Sequence, residues 1–165
     1  LVEVPELQSD LTKVVPRVIF VVGGPGAGKS EQCRRVEGTF EGWAHIPTGD
    51  LKRQQANEEL IHGENTPWLA HYRQWGLDDE SIKSSMIFRP ELIVNLIWKY
   101  MQQCWKRGKR CFLIDGFPRD EEGNDVWFAN VGPQDAEVLG VLYLEADARV
   151  RERRIMERSK TSGRP

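Results

Sequence analysis

The chain has 165 residues, 39% of them apolar and 29% charged, with a formal net charge of −2. That is one domain of ordinary soluble composition, able to bury about 70% of the surface its unfolded chain would expose, and wholesale disorder is excluded. With 23 Lys and Arg against 25 Asp and Glu, no global positive field exists to hold nucleic acid or an anionic membrane, so any polyanion must be met by local charge.

The N-terminal residues 1–16 are bracketed by Pro5 and Pro16 and lack a sustained period. They read as a surface arm with a single helical turn around residues 9–14, and nothing in them reads as a signal peptide. A single domain is expected over residues 17–165. It opens on the longest apolar run, residues 18–22, far too short to span a bilayer and suited to a strand buried on both faces. A glycine-rich turn ends this run, a helix is expected over 30–40, and a very short second strand over 44–46.

Pro90 then sits at a favourable first helical position. Ile93, Leu96, Ile97, Tyr100, Met101 and Cys104 recur at helical spacing, and Gly108 stops the helix behind Lys106 and Arg107. Residues 111–114 and 138–144 are two further buried-strand runs, and Asp147 can cap a last, arginine-rich helix over 148–158. Strands apolar on both faces, alternating with helices, predict an α/β fold with a parallel sheet covered by helices. Cys33, Cys104 and Cys111 have neither paired nor metal-ligand spacing and read as reduced packing thiols of a cytoplasmic protein.

The chemistry starts at Gly23-Gly24-Pro25-Gly26-Ala27-Gly28-Lys29-Ser30, which satisfies G-x-x-x-x-G-K-[ST] directly after a predicted strand and before a predicted helix. The glycines allow positive φ and bring successive amides around phosphate oxygens. Lys29 supplies a point charge for the terminal phosphates, and Ser30 offers a hydroxyl to Mg²⁺. A merely tight turn would need glycine but not lysine followed by serine. Gly24, Gly26, Ala27, Gly28, Lys29 and Ser30 are therefore candidate ATP-binding residues. Glu31 reads as a solvated charge on the helix N-terminus. A phosphate loop fixes the ligand class and leaves the reaction open; the Asn-Lys-x-Asp guanine signature of GTPases does not occur.

Two further clusters decide between reactions. Pro47-Thr48-Gly49-Asp50-Leu51-Lys52-Arg53 follows the second predicted strand, and Ile114-Asp115-Gly116-Phe117-Pro118-Arg119-Asp120 follows the third. With the glycine loop, they resemble the nucleoside monophosphate kinase family, the adenylate kinases and their UMP/CMP kinase relatives. Arg154, Arg158 and the stretch 159–164 look like that family's approach to its lid, which would begin at about residue 158. The resemblance implies a P-loop three-layer fold and reversible phosphoryl transfer from Mg·ATP to a nucleoside monophosphate, in an enzyme that is commonly a monomer.

Carried over residue by residue, the resemblance implies that Lys29 holds the donor phosphates while Arg53 and Arg119 clamp the acceptor phosphate. Arg154 would lie near the donor base, and Arg158 and Arg164 would close on the transferring group. Lys29, Arg119, Arg158 and Arg164 are thus the candidate catalytic residues. Thr48, Arg53, Gly116, Arg119 and Asp120 would form the acceptor site, and Asp115 would help hold Mg²⁺ through water, with Ser30. The physics agrees: phosphoryl transfer needs in-line positioning and charge neutralisation, which arginine's planar fork of donors supplies. Six arginines lie between residues 149 and 164; Arg149, Arg151 and Arg153 read instead as a solvated basic face.

The sequence also departs from the family pattern. Ser30 and Glu31 stand where glycine and threonine are usual. The acceptor-binding segment, about 47–90, is enlarged over 54–89, where Trp68, Tyr72 and Trp75 suggest either a self-packed acceptor lid or a protein-partner site. Acceptor determinants conflict: Thr48 and Asp50 look like an AMP kinase, whereas Asp120 and Trp127 resemble the pyrimidine pattern, and Gly123 stands where AMP kinases usually have glutamine. Ionised Asp120 can only accept hydrogen bonds, which favours an amino-bearing base, adenine or cytosine. AMP is the narrowly preferred expectation, with a UMP/CMP kinase as the alternative. Because the family continues past the position of Pro165, the lid and C-terminal part read as incomplete and the sheet edge as open. The rival from another class is a nucleotide-binding interaction module that transfers little phosphate.

Overall fold

The computed structural model describes residues 14–62 and 90–162. They form β1 (Arg17–Val22), α1 (Lys29–Thr39), β2 (Trp43–Pro47), α2 (Thr48–His62), α3 (Pro90–Lys106), β3 (Cys111–Asp115), α4 (Glu121–Asn130), β4 (Glu137–Tyr143) and α5 (Ala148–Ser162). Most of the N-terminal arm, the segment carrying Trp68, Tyr72 and Trp75, and Arg164 lie outside the described residues.

The four strands are all parallel, in the order β2-β3-β1-β4. Parallel neighbours need crossover connections, which is why the apolar runs alternate with helices. Val21 is level with Asp115, and Asp115 with Pro47. The loops leaving β1, β2 and β3 therefore emerge side by side at the C-terminal edge of the sheet, where open α/β sheets place their ligands.

Alternation along each strand divides the core. Val18, Phe20, Ala44, Ile46, Phe112 and Ile114 face one way, into a large cluster completed by Ile93, Val94, Ile97 and Met101 of α3 and Trp127 of α4. Val21 and Leu113 face the other way, onto Cys33 of α1. Each large aliphatic or aromatic side chain buried here contributes about 1.5–3 kcal/mol. The three-layer α/β expectation is met.

The Pro90 helix is present as predicted, with Gly108 at φ +90° behind it. β4 departs from the expectation of a strand buried on both faces. Among the described residues it is a sheet edge, and Leu139, Val141, Leu142 and Tyr143 are 45–64% exposed. Its apolar run pairs with β1 on one side only, and no described helix covers its outer end. No helix of the described residues is long and apolar enough to cross a membrane.

Candidate active site

β1 delivers the chain into the glycine loop. Gly26 has φ +77°, and a Cβ there would stand 2.7 Å from the carbonyl oxygen of Arg151. Glycine is needed twice over, for the left-handed backbone and for the approach of α5. Gly28 begins α1, also left-handed and with no side-chain cap. The amides of the first turn are thereby left to the cleft that Gly28, Lys29 and Ser30 line. Arg154, Ile155 and Arg158 of α5 line the same cleft, whose volume is about 190 Å³.

Lys29 Nζ donates to the carbonyls of Gly23 at 2.8 Å and Gly24 at 3.1 Å, which holds the ammonium over the loop. Arg154 Nη1 donates to Gly26 O at 3.1 Å and ties α5 to the loop. Glu31 is drawn away along α1 by Arg34 and Arg35, each at 3.0 Å. It occupies the solvated position the sequence suggested. Arg151 corrects the reading of a wholly solvated basic face. Its guanidinium lies against Gly24, where a Cβ would stand 2.6 Å from Nη1. Its Nε is buried with no hydrogen-bond partner among the described residues. Arg149 and Arg153 are exposed as expected.

Across the mouth of the loop, Ser30 Oγ donates to Asp115 Oδ2 at 2.5 Å, joining groups 85 positions apart in sequence. His45 Nε2 reaches the same oxygen at 3.2 Å, and both side chains are almost fully buried. Burial pushes the Asp115 carboxyl up. Hydrogen bonds from His45 and Ser30, with the charges of His45 and Lys29, outweigh that and hold it below its usual range. It is an anion at neutral pH. A hydroxyl and a carboxylate oxygen side by side at the phosphate cradle are hard donors of the kind Mg²⁺ takes, so the residues fit that ion. Cys33 completes a buried group with His45 and Asp115, the three ligand atoms lying within 4.8 Å of one another. Burial and the Asp115 charge push the Cys33 thiol up to about 12, so it stays a protonated packing thiol. The sequence reading placed no role on His45; the alternation of β2, which turns it toward α1, was the available signal.

The acceptor motifs flank this centre. Thr48 opens α2 directly after β2 and is 1% exposed; its Oγ1 has no hydrogen-bond partner among the described residues. Arg53, one turn further, is held by the carboxylate of Asp50. Arg119 lies in the loop after β3, where its Nε donates weakly to Gly116 O at 3.4 Å; Gly116 has φ +80° and the following Phe117–Pro118 bond is cis. Lys52 of α2 is almost fully buried; burial, then the charges of Arg119 and Arg53, push its ammonium down to about 8. Asp120 caps α4: its Oδ1 accepts from the Gly123 amide at 2.8 Å. A Cβ at Gly123 would press on that oxygen at 3.2 Å and on Phe117 at 3.4 Å. Trp127 is fully buried and supports the loop from beneath, edge-on to Phe20 at 5.3 Å and tilted on Phe117 at 6.0 Å.

Of the residues singled out from sequence, the fold gathers Lys29, Ser30, Asp115, Arg154 and Arg158 around the phosphate loop. It places Thr48, Arg53, Gly116, Arg119 and Asp120 on the two neighbouring strand exits. The arrangement can hold one polyphosphate and one further anion side by side.

Comparison with known proteins agrees. The adenylate kinase family model matches residues 21–162. A UMP-CMP kinase of Sus scrofa is 34% identical over 152 residues, covering 90% of this chain and 70% of that protein. A uridylate kinase of Schizosaccharomyces pombe is 35% identical over 147 residues, covering 89% and 69%. A UMP-CMP kinase of Gallus gallus is 35% identical over 152 residues, with 90% and 70% covered. The phosphate cradle, the two acceptor motifs and this similarity along nine-tenths of the chain place the protein in the adenylate kinase family, as a nucleoside monophosphate kinase.

Proposed function

We propose that this kinase transfers the terminal phosphoryl group of ATP to a pyrimidine nucleoside monophosphate, CMP ahead of UMP. The acceptor choice is carried by relatives that are named UMP-CMP kinase or uridylate kinase. The alternative kept open in the sequence thus has more support than the AMP preference. The AMP reading leaned on Thr48 and Asp50, and the Asp50 carboxylate is engaged by Arg53 on its own helix, where it orients the clamp. The Asp120–Gly123 cap, by contrast, goes with the pyrimidine pattern. A glutamine side chain at 123 would crowd the very oxygen that closes the cap. An ionised Asp120 accepts and cannot donate, which suits the cytosine amino group better than the uracil carbonyl.

In this reading Lys29 and the loop amides hold the donor phosphates, and Arg154 lies along the donor nucleotide. Arg53 and Arg119 hold the acceptor phosphate, and Arg158 and Arg164 close on the transferring group. Ser30 and, through water, Asp115 would hold Mg²⁺ carried in with ATP, which would supply neutralisation of phosphate charge. Positioning supplies much of the catalysis, because two anions gripped in line react as one molecule. A guanidinium aimed at the transferring group is worth roughly 10³–10⁵ in rate.

Coupled nucleoside diphosphate formation with ATP against CMP, UMP, AMP and GMP tests the reading. Turnover highest with CMP and abolished by Lys29→Met is expected. AMP as the best acceptor would overturn the pyrimidine assignment, and a fully active Lys29→Met enzyme would overturn the loop assignment.

A further inference from the structure

Three buried side chains from three elements meet beside the phosphate loop. Cys33 comes from α1, His45 from β2 and Asp115 from the end of β3. Their sulfur, ring-nitrogen and carboxylate-oxygen atoms all lie within 4.8 Å of one another, and the residues are 1%, 6% and 6% exposed. Among the described residues no other three such side chains meet this closely. The sheet register fixes two of them: His45 is level with Leu113 and Pro47 with Asp115, and His45 Nε2 stands 3.2 Å from Asp115 Oδ2. The His45 amide donates to Glu37 Oε1 at 3.1 Å, which ties β2 to the helix that carries Cys33. A hydrogen-bonded histidine and aspartate need no sulfur beside them, and the apolar contact of Cys33 with Val21 and Leu113 needs no thiol. A thiol, an imidazole and a carboxylate converging on one point are the donor set that zinc takes.

The spacing is near what that ion requires. Zinc binds sulfur at about 2.3 Å and nitrogen or oxygen at about 2.0–2.2 Å, so the ligand atoms of a tetrahedral site stand about 3.4–3.6 Å apart. The His45–Asp115 pair is already close to that, and no pair of the three needs to draw in by more than about 1 Å. Ser30 Oγ, 2.5 Å from Asp115 Oδ2, also lines the phosphate cleft, so the group opens to the cleft past Ser30. Two cations act on Cys33, Lys29 and Arg34; the first is held on the carbonyls of Gly23 and Gly24 and the second on Glu31.

We propose that Cys33, His45 and Asp115 form a binding site for a thiophilic divalent cation of the zinc class, and that its occupation suppresses phosphoryl transfer. The cation site goes beyond the kinase reading, while the suppression rests on it. A bound dication deprotonates a coordinating thiol outright: the S–H bond gives way to a metal–sulfur bond, and the proton leaves to solvent. The thiolate and the Asp115 carboxylate then balance the two charges of the ion, with His45 neutral. Thiolate selects zinc or cadmium over Mg²⁺, which takes oxygen donors. Asp115 cannot serve both ions. Drawn onto Cys33 and His45 by the thiophilic cation, it is withdrawn from Ser30 and from the phosphate cradle.

The test adds Cd²⁺ alone, without nucleotide, to the metal-free full chain and follows the ultraviolet thiolate-to-cadmium absorption; Zn²⁺ affinity is then read by displacement. One Cd²⁺ per chain should give the band in the parent and in Cys111→Ser, and neither Cys33→Ala nor Cys33→Ser should give it. Cys33→Ala and His45→Gln should each weaken Zn²⁺ binding more than about 100-fold, since loss of a mere outer-shell partner costs about 10–100-fold. Saturating, buffered Zn²⁺ should lower parent transfer from Mg·ATP to CMP by on the order of 10²-fold, as for one lost electrostatic contact, and a chelator should restore it. Both Cys33 variants should transfer like the parent before zinc, which shows that they are folded, and ignore zinc afterwards. No band in the parent, or a band that survives in both Cys33 variants, overturns the site. Zinc that binds and leaves transfer untouched overturns the suppression. A parent that shows the band but transfers phosphate to no monophosphate overturns the kinase reading and the suppression with it, while the cation site stands.

Discussion

Lys52→Met should make the protein more stable at neutral pH, although it removes a charge and adds no partner. The residue is 3% exposed, and its ammonium falls from an ordinary 10.5 to about 8 in the folded chain. That difference corresponds to roughly 3 kcal/mol by which the folded state disfavours the charged form. The sign follows from proton counting. Below pH 8 both folded and unfolded chains carry the proton, and the full penalty is present. Between about 8 and 10.5 the unfolded chain binds more protons than the folded one, so parent stability rises with pH relative to the variant. Urea unfolding of parent and Lys52→Met at pH 7 and pH 10 should therefore give a gap in favour of the variant of roughly 3 kcal/mol. It should shrink to about 1 kcal/mol or less at the higher pH. A variant no more stable than the parent at pH 7, or a gap indifferent to pH, would refute the reasoning.

Further outcomes follow from the same geometry. Asp115→Asn keeps the shape but loses the anion that Ser30 and His45 address, and transfer should fall by two orders of magnitude or more, on the order of 10²-fold for one lost electrostatic contact. Because the folded Asp115 carboxyl lies below its ordinary 3.8, its stabilisation is present above that value and lost as pH falls through the lower folded one; acid unfolding of the two proteins should converge there. Gly26→Ala forces a Cβ to within 2.7 Å of the Arg151 carbonyl at φ +77°, and a loss of about 1–3 kcal/mol with weakened ATP binding is expected in thermal unfolding and ATP titration. Asp120→Ala removes the cap on Gly123 N and should cost about 1 kcal/mol; if Asp120 also meets the base, the CMP KM rises more than the UMP KM.

What could be read without coordinates depended on what each segment buries. β1, β3 and α3 turn mostly apolar side chains inward, so their composition declares them. α2 was not anticipated as a helix because its buried face is Thr48, Leu51 and Lys52, and an amphipathic period is absent where polar groups are among the inward ones. α4 was not anticipated: Asp120, Glu121, Glu122 and Gly123 form a capped, acidic first turn that carries no apolar period. The β4 run was misread because an apolar run cannot distinguish a central strand from an edge. The glycine loop, tightly constrained by its chemistry, was legible as the turn from β1 into α1 that lines the cleft with Gly26, Gly28, Lys29 and Ser30. Arg151 and Lys52 were not, since an arginine or lysine on a polar helix carries no mark of what it faces.

The account stands most directly on two phosphate grips facing one cleft: the cradle of Gly26, Gly28 and Lys29 on one side and Arg53 with Arg119 on the other. Isothermal titration with a single molecule joining adenosine and cytidine through a five-phosphate chain measures that arrangement. The account predicts binding at least 100-fold tighter than ATP alone, since linking two occupied sites commonly gains about 10²–10⁴, with the gain lost in Arg119→Ala. An affinity equal to that of ATP, unchanged by Arg119→Ala, would contradict it.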